Sequence, residues 1–261
     1  MNTIENYKVT HIVNFAAQGM VAESWESPDQ WIRTNVLSLS YLLKDLHKID
    51  HIKSFVQAST PEVYGVCHNA LESHNYAPST PYAASKAAAD ALLHAYSKTH
   101  GFPVRYTRAS NVYGGGQQLY RIVPKTIFTI LNKGKLSLHG GGHSVRSFVH
   151  INDVSIGTYK VACSGHNGEI YHVAGTQLVS IRDLVYAICQ LMDVAPEEYL
   201  IEGEQRTGSD SLYQLNADKI NRELSWRPSV ILEQGLEEVI FWVKENFEIL
   251  KHISPEYVHK Q

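Results

Sequence analysis

Little in this 261-residue chain points to a specialised environment. Three cysteines, Cys67, Cys163 and Cys189, are too few and too widely spaced for a disulfide framework or a cysteine zinc site. No run approaches the roughly 18 apolar residues of a membrane span, and Met1 to Lys8 lack the apolar core of a signal segment. A net charge of -3 gives no basic face for binding nucleic acid without regard to sequence. No internal repeat or low-complexity tract is present. The expectation is a soluble, reduced, cytoplasmic protein with neither nucleic acid nor membrane as partner. At 44% hydrophobic residues the chain can bury one large core or two small ones.

What is there alternates between strand and helix patterns. His11 to Phe15 is a short apolar run of strand type, followed by Ala16 and Ala17. A helix is expected from Pro28 through Leu46, its apolar positions recurring at three and four from Val36 onward. Ser54 to Ser59 reads as the next strand. Pro81, suited to a first helical turn, opens another helix that Gly101 would end. Val104 to Ala109 is strand again. Strands separated by helices of this length imply parallel βαβ units. From Gly114 the texture becomes irregular, with helices expected at Ile181–Met192 and Leu232–Asn246. The expected organisation is a Rossmann-like part over 1–113 and a smaller part over 114–261, with some late elements returning to the first sheet.

The sharpest local feature is Tyr82-Ala-Ala-Ser-Lys86. Residues four apart on a helix share a face, and an ammonium beside a phenol favours the phenolate, which is a useful general base. The spacing alone carries little, since roughly one such match is expected by chance in a chain this rich in Tyr and Lys. Its context adds weight. Ser59-Thr60-Pro61-Glu62 follows a strand end, where ligand sites of open α/β sheets gather. Thr107 to Gly114 closes another strand with further hydrogen-bonding groups. His139-Gly-Gly-Gly-His143 has ligand-like spacing, but its glycines read as a loop with no third ligand beside it, so no metal is expected.

Together these segments resemble the extended short-chain dehydrogenase/reductase superfamily, and within it the nucleotide-sugar epimerases and 4,6-dehydratases. The resemblance runs from His11 to about Asn246. It includes Asn14-Phe15-Ala16-Ala17, Thr34-Asn35-Val36, Thr80 to Lys86, Arg146 to Val154, Arg206 to Asp210 and Asn216 to Ile220. It implies a doubly wound parallel sheet of the α/β class and NAD as cofactor. Phe15, Ala16, Ala17, Asn35, Ser59, Tyr82 and Lys86 would line that cofactor. Tyr82 would deprotonate the C4 hydroxyl of a nucleotide-diphosphate sugar, with Lys86 holding the ribose and Thr60 bonding the same hydroxyl. Glu62 would remove the C5 proton and allow loss of the C6 hydroxyl as water. Asn111, Arg146 and Arg206 would face the substrate. Homodimerisation is expected through helices near 29–45 and 81–98.

Three departures shape this expectation. Pro61 stands where the dTDP-glucose enzymes carry a proton-donating aspartate, so Glu62 would act as both base and acid, or the product would be a 5,6-unsaturated sugar. Ser211 follows Asp210, where many relatives place a phosphate-binding arginine. The Gly-x-x-Gly-x-x-Gly turn that cradles a pyrophosphate is absent, as if about two βα units were missing before His11. The competing expectations are an epimerase or 5,6-dehydratase of the same family, and a non-catalytic remnant or subunit needing a separate N-terminal piece. A reductase of steroid-like or flavonoid-like ketones is a third, disfavoured by Glu62 and the Arg146 region.

Overall fold

The computed structural model describes residues 1–204 and 212–259. A short helix α1 (Asn2–Asn6) precedes β1 (His11–Asn14). The helical stretch opening at Pro28 comprises α2 (Pro28–Ile32), a π-helical turn (Arg33–Leu37) and α3 (Ser38–Leu46). Next come β2 (Ser54–Ser59), a 3₁₀ turn (Pro61–Tyr64), β3 (Cys67–Ala70), α4 (Pro81–His100), β4 (Val104–Ala109) and β5 (Asn111–Tyr113). The chain continues through α5 (Ile122–Leu131), β6 (Leu136–His139), β7 (Val145–His150), α6 (Ile151–Ser164), β8 (Ile170–Val173) and β9 (Leu178–Ser180). It ends with α7 (Ile181–Leu191), β10 (Leu200–Gly203), β11 (Leu212–Leu215), α8 (Asp218–Leu224), α9 (Leu232–Glu245) and α10 (Phe247–Leu250).

Two compact units are interleaved along the chain rather than consecutive. The first comprises Met1–Ser110, Val154–Ala174 and Tyr213–Arg227. Its sheet has the order β1-β2-β4-β8, every pairing parallel. The return of β8 to β4 brings Val154–Ala174 back into this unit. Alternate residues of β4 serve opposite faces: the Tyr106 hydroxyl donates to the Asp90 carbonyl of α4, whereas Arg105 donates to the Val161 and Ala162 carbonyls of α6. The apolar face against α3 and α4 is built from Leu39, Leu43, Phe55, Leu93, Val104 and Ile170.

The second unit comprises Asn111–Asp153, Gly175–Leu212 and Pro228–Gln261. Here β5 runs parallel to β7, β9 antiparallel to β7, and β6 parallel to β10. The amphipathic helices α5, α7 and α9 bury Ile127, Leu184, Ile188, Leu236, Val239 and Val243 in one core. Phe148 on β7 approaches Gly175 so closely that a Cβ there would sit 1.9 Å from the Phe148 carbonyl oxygen.

A polar network lies inside the first unit. The buried ring of His172 on β8 has Nδ1 2.9 Å from the Asn216 carbonyl and Nε2 2.8 Å from the Tyr64 hydroxyl. The carbonyl can only accept, so Nδ1 carries the proton and Nε2 accepts from Tyr64. Both nitrogens are satisfied with the ring neutral. Burial drives its pKa down from 6.5 to about 3, with Arg108 and Lys219 adding repulsion. Glu72 lies 3.8 Å from Nδ1, but because the ring is neutral this contact is not an ion pair at neutral pH; burial pushes the Glu72 carboxyl up.

Two outcomes follow. Gly175→Ala should destabilise the protein by about 2 kcal/mol or more in denaturant unfolding, because the obstructing atom is backbone and cannot swing aside; an unchanged midpoint would contradict that close approach. The His172 pKa is depressed on folding, so its stabilising contribution is complete above pH 6.5 and drains away as pH falls toward 3. Between pH 7.5 and pH 5 the wild-type chain should lose about 2 kcal/mol more stability than His172→Gln. Equal losses in urea titrations at the two pH values would refute the buried neutral ring.

Candidate active site

Helix α4 is built to present its first two turns. Thr80 caps it, its Oγ1 accepting from the Ala83 N–H at 3.1 Å, and Pro81 occupies the first position, where no N–H is needed. The Tyr82 N–H donates to Ser24 Oγ at 3.1 Å, which ties this end to the 3₁₀ turn Ala22–Trp25. Gly101, at φ 64°, ends the helix in the left-handed conformation that glycine adopts without strain.

Within this helix Tyr82 is half-buried and Lys86 is only 3% exposed. Lys86 Nζ donates to the Ala58 carbonyl of β2 at 2.7 Å. Burial pushes its ammonium pKa down, and the negative charge of Asp90 pulls it back up. Ala58 stands two residues before Thr60, so the hydrogen bond ties the helix to the strand end that carries the rest of the candidate set. Ser59 Oγ donates to Asp90 Oδ2 at 2.7 Å. Thr60 is buried and caps the 3₁₀ turn, its hydroxyl lying 3.4 Å from the Glu62 N–H. Glu62 is half-buried in the first turn of that segment.

The π-helical turn places Asn35 as a clamp. Its Oδ1 accepts from the Gln18 N–H at 2.7 Å, and its Nδ2 donates to the Gln18 carbonyl and to Ser85 Oγ at 3.1 and 2.8 Å. Asn35 therefore spends its amide on protein groups, joining the segment after β1 to the Tyr82–Lys86 helix. Phe15, Ala16 and Ala17 lie on that segment and are exposed, Phe15 by 63%. At the base of this turn Asn14 Nδ2 bonds Gln57 Oε1 across β1 and β2 at 2.8 Å.

The residues present fit the nicotinamide–ribose end of NAD: an exposed aromatic ring, two small alanines, a hydroxyl-bearing strand end and a phenol–ammonium helix face. All lie at the carboxyl ends of β1 and β2 or on the first turns of α4, where open parallel sheets bind ligands. The second unit holds a cavity of about 380 Å³ that brings Asn111 and Arg146 together with Lys125, Lys135, His139 and Glu256. Its cationic residues suit a diphosphate. Lys125 Nζ meets Glu256 Oε1 at 2.7 Å, and the Tyr257 ring packs edge-on against Tyr120, so the segment after α10 forms one wall. Arg206 lies outside the described residues.

Sequence reasoning missed Asp90, Arg108, Ser85 and Ser24. Asp90 had a legible signal, standing four residues beyond Lys86 and eight beyond Tyr82. Arg108, a charged residue in the middle of a strand pattern, was a second.

Comparisons place this architecture. A family model described as GDP-mannose 4,6 dehydratase matches residues 1–239. A dTDP-glucose 4,6-dehydratase of Streptomyces antibioticus is 36% identical over 237 residues, covering 90% of this chain and 70% of that protein. The human dTDP-D-glucose 4,6-dehydratase is 32% identical, covering 96% and 73%. Among solved structures, a double mutant of the Streptomyces venezuelae dTDP-glucose 4,6-dehydratase with NAD bound superposes at a TM-score of 0.90 with 33% identity, over 94% of this chain and 76% of that one. The Bacillus anthracis dTDP-glucose 4,6-dehydratase in complex with NAD gives 0.88 with 34% identity, over 97% and 78%. With its parallel sheet, its Tyr82–Lys86 helix and these relatives, the chain belongs to the GDP-mannose 4,6-dehydratase family of the extended short-chain dehydrogenase/reductases and is an NAD-dependent, nucleotide-sugar 4,6-dehydratase-like lyase.

Proposed function

We propose that Thr60, Glu62, Tyr82 and Lys86 carry out the dehydration of a nucleoside-diphosphate hexose, for which dTDP-glucose is the first substrate to test. The observation that carries this reading is the placement of the Tyr82–Lys86 helix face against the strand end bearing Thr60 and Glu62. NAD supplies the chemistry of a reversible hydride acceptor, with Phe15, Ala16, Ala17, Asn35, Ser59, Tyr82 and Lys86 around it. Asn35 acts there through its clamp on Gln18 and Ser85.

Tyr82, as phenolate beside the Lys86 ammonium, takes the C4 hydroxyl proton while that carbon is oxidised to the ketone. Thr60 orients the same hydroxyl. The ketone acidifies the C5 proton, which Glu62 removes. The C6 hydroxyl then leaves as water, taking the proton that Glu62 has just gained, because Pro61 offers none. Return of the C4 hydrogen to C6 and of a solvent proton to C5 leaves a 4-keto-6-deoxy sugar. Asn111 and Arg146 are the proposed substrate contacts of the second unit, and the cationic cavity that they line suits a diphosphate; Arg206, the third residue expected there, lies outside the described residues.

The protein acts as a homodimer through the helices near 29–45 and 81–98. Support comes from Ile32, Leu37 and Tyr41, large side chains left exposed on the first of these. A cytoplasmic site fits the three unbridged cysteines. No helix among the described residues is long and apolar enough to cross a membrane.

Incubation with NAD and dTDP-glucose should yield a product lighter by one water, and Tyr82→Phe should lower that rate on the order of a hundredfold or more. Mass spectrometry of the nucleotide-sugar pool checks both. Wild-type turnover by Tyr82→Phe would remove Tyr82 from the mechanism.

A further inference from the structure

Lys86 and Asp90 on α4 and Arg108 on β4 are charged side chains enclosed in the first unit. Arg108 Nη2 lies 3.0 Å from Asp90 Oδ2, the same oxygen that accepts from Ser59 Oγ at 2.7 Å. Arg108 Nη1 donates to the Ser73 carbonyl at 2.8 Å, and its guanidinium lies over the rings of Tyr64 and Tyr76 at 4.5 and 5.5 Å. The second carboxylate oxygen, Asp90 Oδ1, is buried and has no hydrogen-bond partner among the described residues.

An ion pair alone would leave this arrangement unexplained. Arg108 and Ser59 both engage Oδ2, and Oδ1 is left with charge and no donor. One turn earlier on the same helix face stands Lys86, a buried ammonium that donates to the neutral Ala58 carbonyl. We propose that Asp90 is a positioning residue for the dehydration: its carboxylate fixes the β2 strand end through Ser59 and supplies the buried countercharge that keeps Lys86 an ammonium beside Tyr82. The inference rests on the reading that Lys86 serves the reaction.

The surroundings are consistent with that division of labour. The other titratable groups around the carboxylate are His74, Tyr64 and Tyr76 from the 60–79 segment, His94 on α4 and Tyr106 on β4. Burial raises Tyr64, Tyr76 and Tyr106 and lowers His74, so these four are neutral near pH 7. Arg108 already repels a second cation. Asp90, one turn along the helix, is the buried anion whose charge counters the burial that lowers the Lys86 ammonium pKa.

The test is the titration of the Lys86 side-chain amine by ¹⁵N-resolved NMR in wild type, Asp90→Asn and Asp90→Glu, together with the pH profile of dehydration. Loss of the negative charge should lower the Lys86 pKa by about one to two pH units, and the glutamate should restore most of it. The alkaline limb of the rate profile should move down by the same amount. If Asp90→Asn does not fold, the double variant Asp90→Asn/Arg108→Gln is compared with Arg108→Gln alone, so that the difference isolates the carboxylate. A Lys86 titration unchanged by loss of the carboxylate, with kcat reduced equally at every pH, would reduce Asp90 to a packing role and overturn the proposal. A shifted Lys86 titration with a rate that does not respond to Lys86→Met would instead refute the role of Lys86 itself, leaving the countercharge in place.

Discussion

A carboxylate with no access to water joins the strand that carries Thr60 to the helix that carries Tyr82 and Lys86. Asp90 holds Arg108 of β4 and Ser59 of β2 on a single oxygen. Breaking such a buried pair by removing one partner typically costs about 3–5 kcal/mol, because the surviving charge is left unpaired. The register of α4 against β2 and β4 depends on this contact. So does the position of Lys86, whose ammonium crosses to the Ala58 carbonyl. A shift of one helical residue would turn Lys86 away from the strand end and carry Tyr82 with it.

Around that junction the fold separates two tasks. The apolar layer of Leu43, Leu93, Phe55 and Val104 holds α3 and α4 on the sheet without chemical demands of its own. The polar residues cluster at the carboxyl ends of β1 and β2 and at the start of α4. There the chain ends its strands on Asn14 and Ser59 and restrains the following segments with side-chain hydrogen bonds. Asn35 is the clearest example. The π-helical turn inserts it into the helix at the point where its amide reaches both Gln18 and Ser85. Turns of this kind recur at functional sites because they re-aim one side chain without ending the helix.

Much of this was legible in the residues. The strands at 11–14, 54–59 and 104–109 announce themselves as short apolar runs, and α4 is bracketed by Pro81 and Gly101, whose backbone preferences fit opposite helix ends. The π turn was not legible, since Val36, Leu39 and Leu43 keep helical spacing whether or not one residue is wound in excess. The return of late elements to the first sheet was expected, but not which elements return. Ile170–Val173 is a four-residue buried run, too short for its pattern to say which sheet it joins; its pairing with β4 is a long-range choice. Within the site, Tyr82, Lys86, Thr60 and Glu62 stood out because reactive groups followed structural punctuation. Asp90 passed unremarked, and Arg108 was read only as one of the hydrogen-bonding groups closing a strand, because each looks like a solvated charge until the fold buries both.

The proposed reaction is an internal exchange, oxidation at C4 and reduction at C6 of one sugar, with Tyr82 and Lys86 of the first unit as its proton-handling pair. The most direct measurement supplies NAD and dTDP-glucose carrying deuterium at C4 and locates the label in the product by NMR. The account predicts deuterium at C6 of a sugar that has lost one water. Deuterium retained at C4, or lost to solvent, would contradict it.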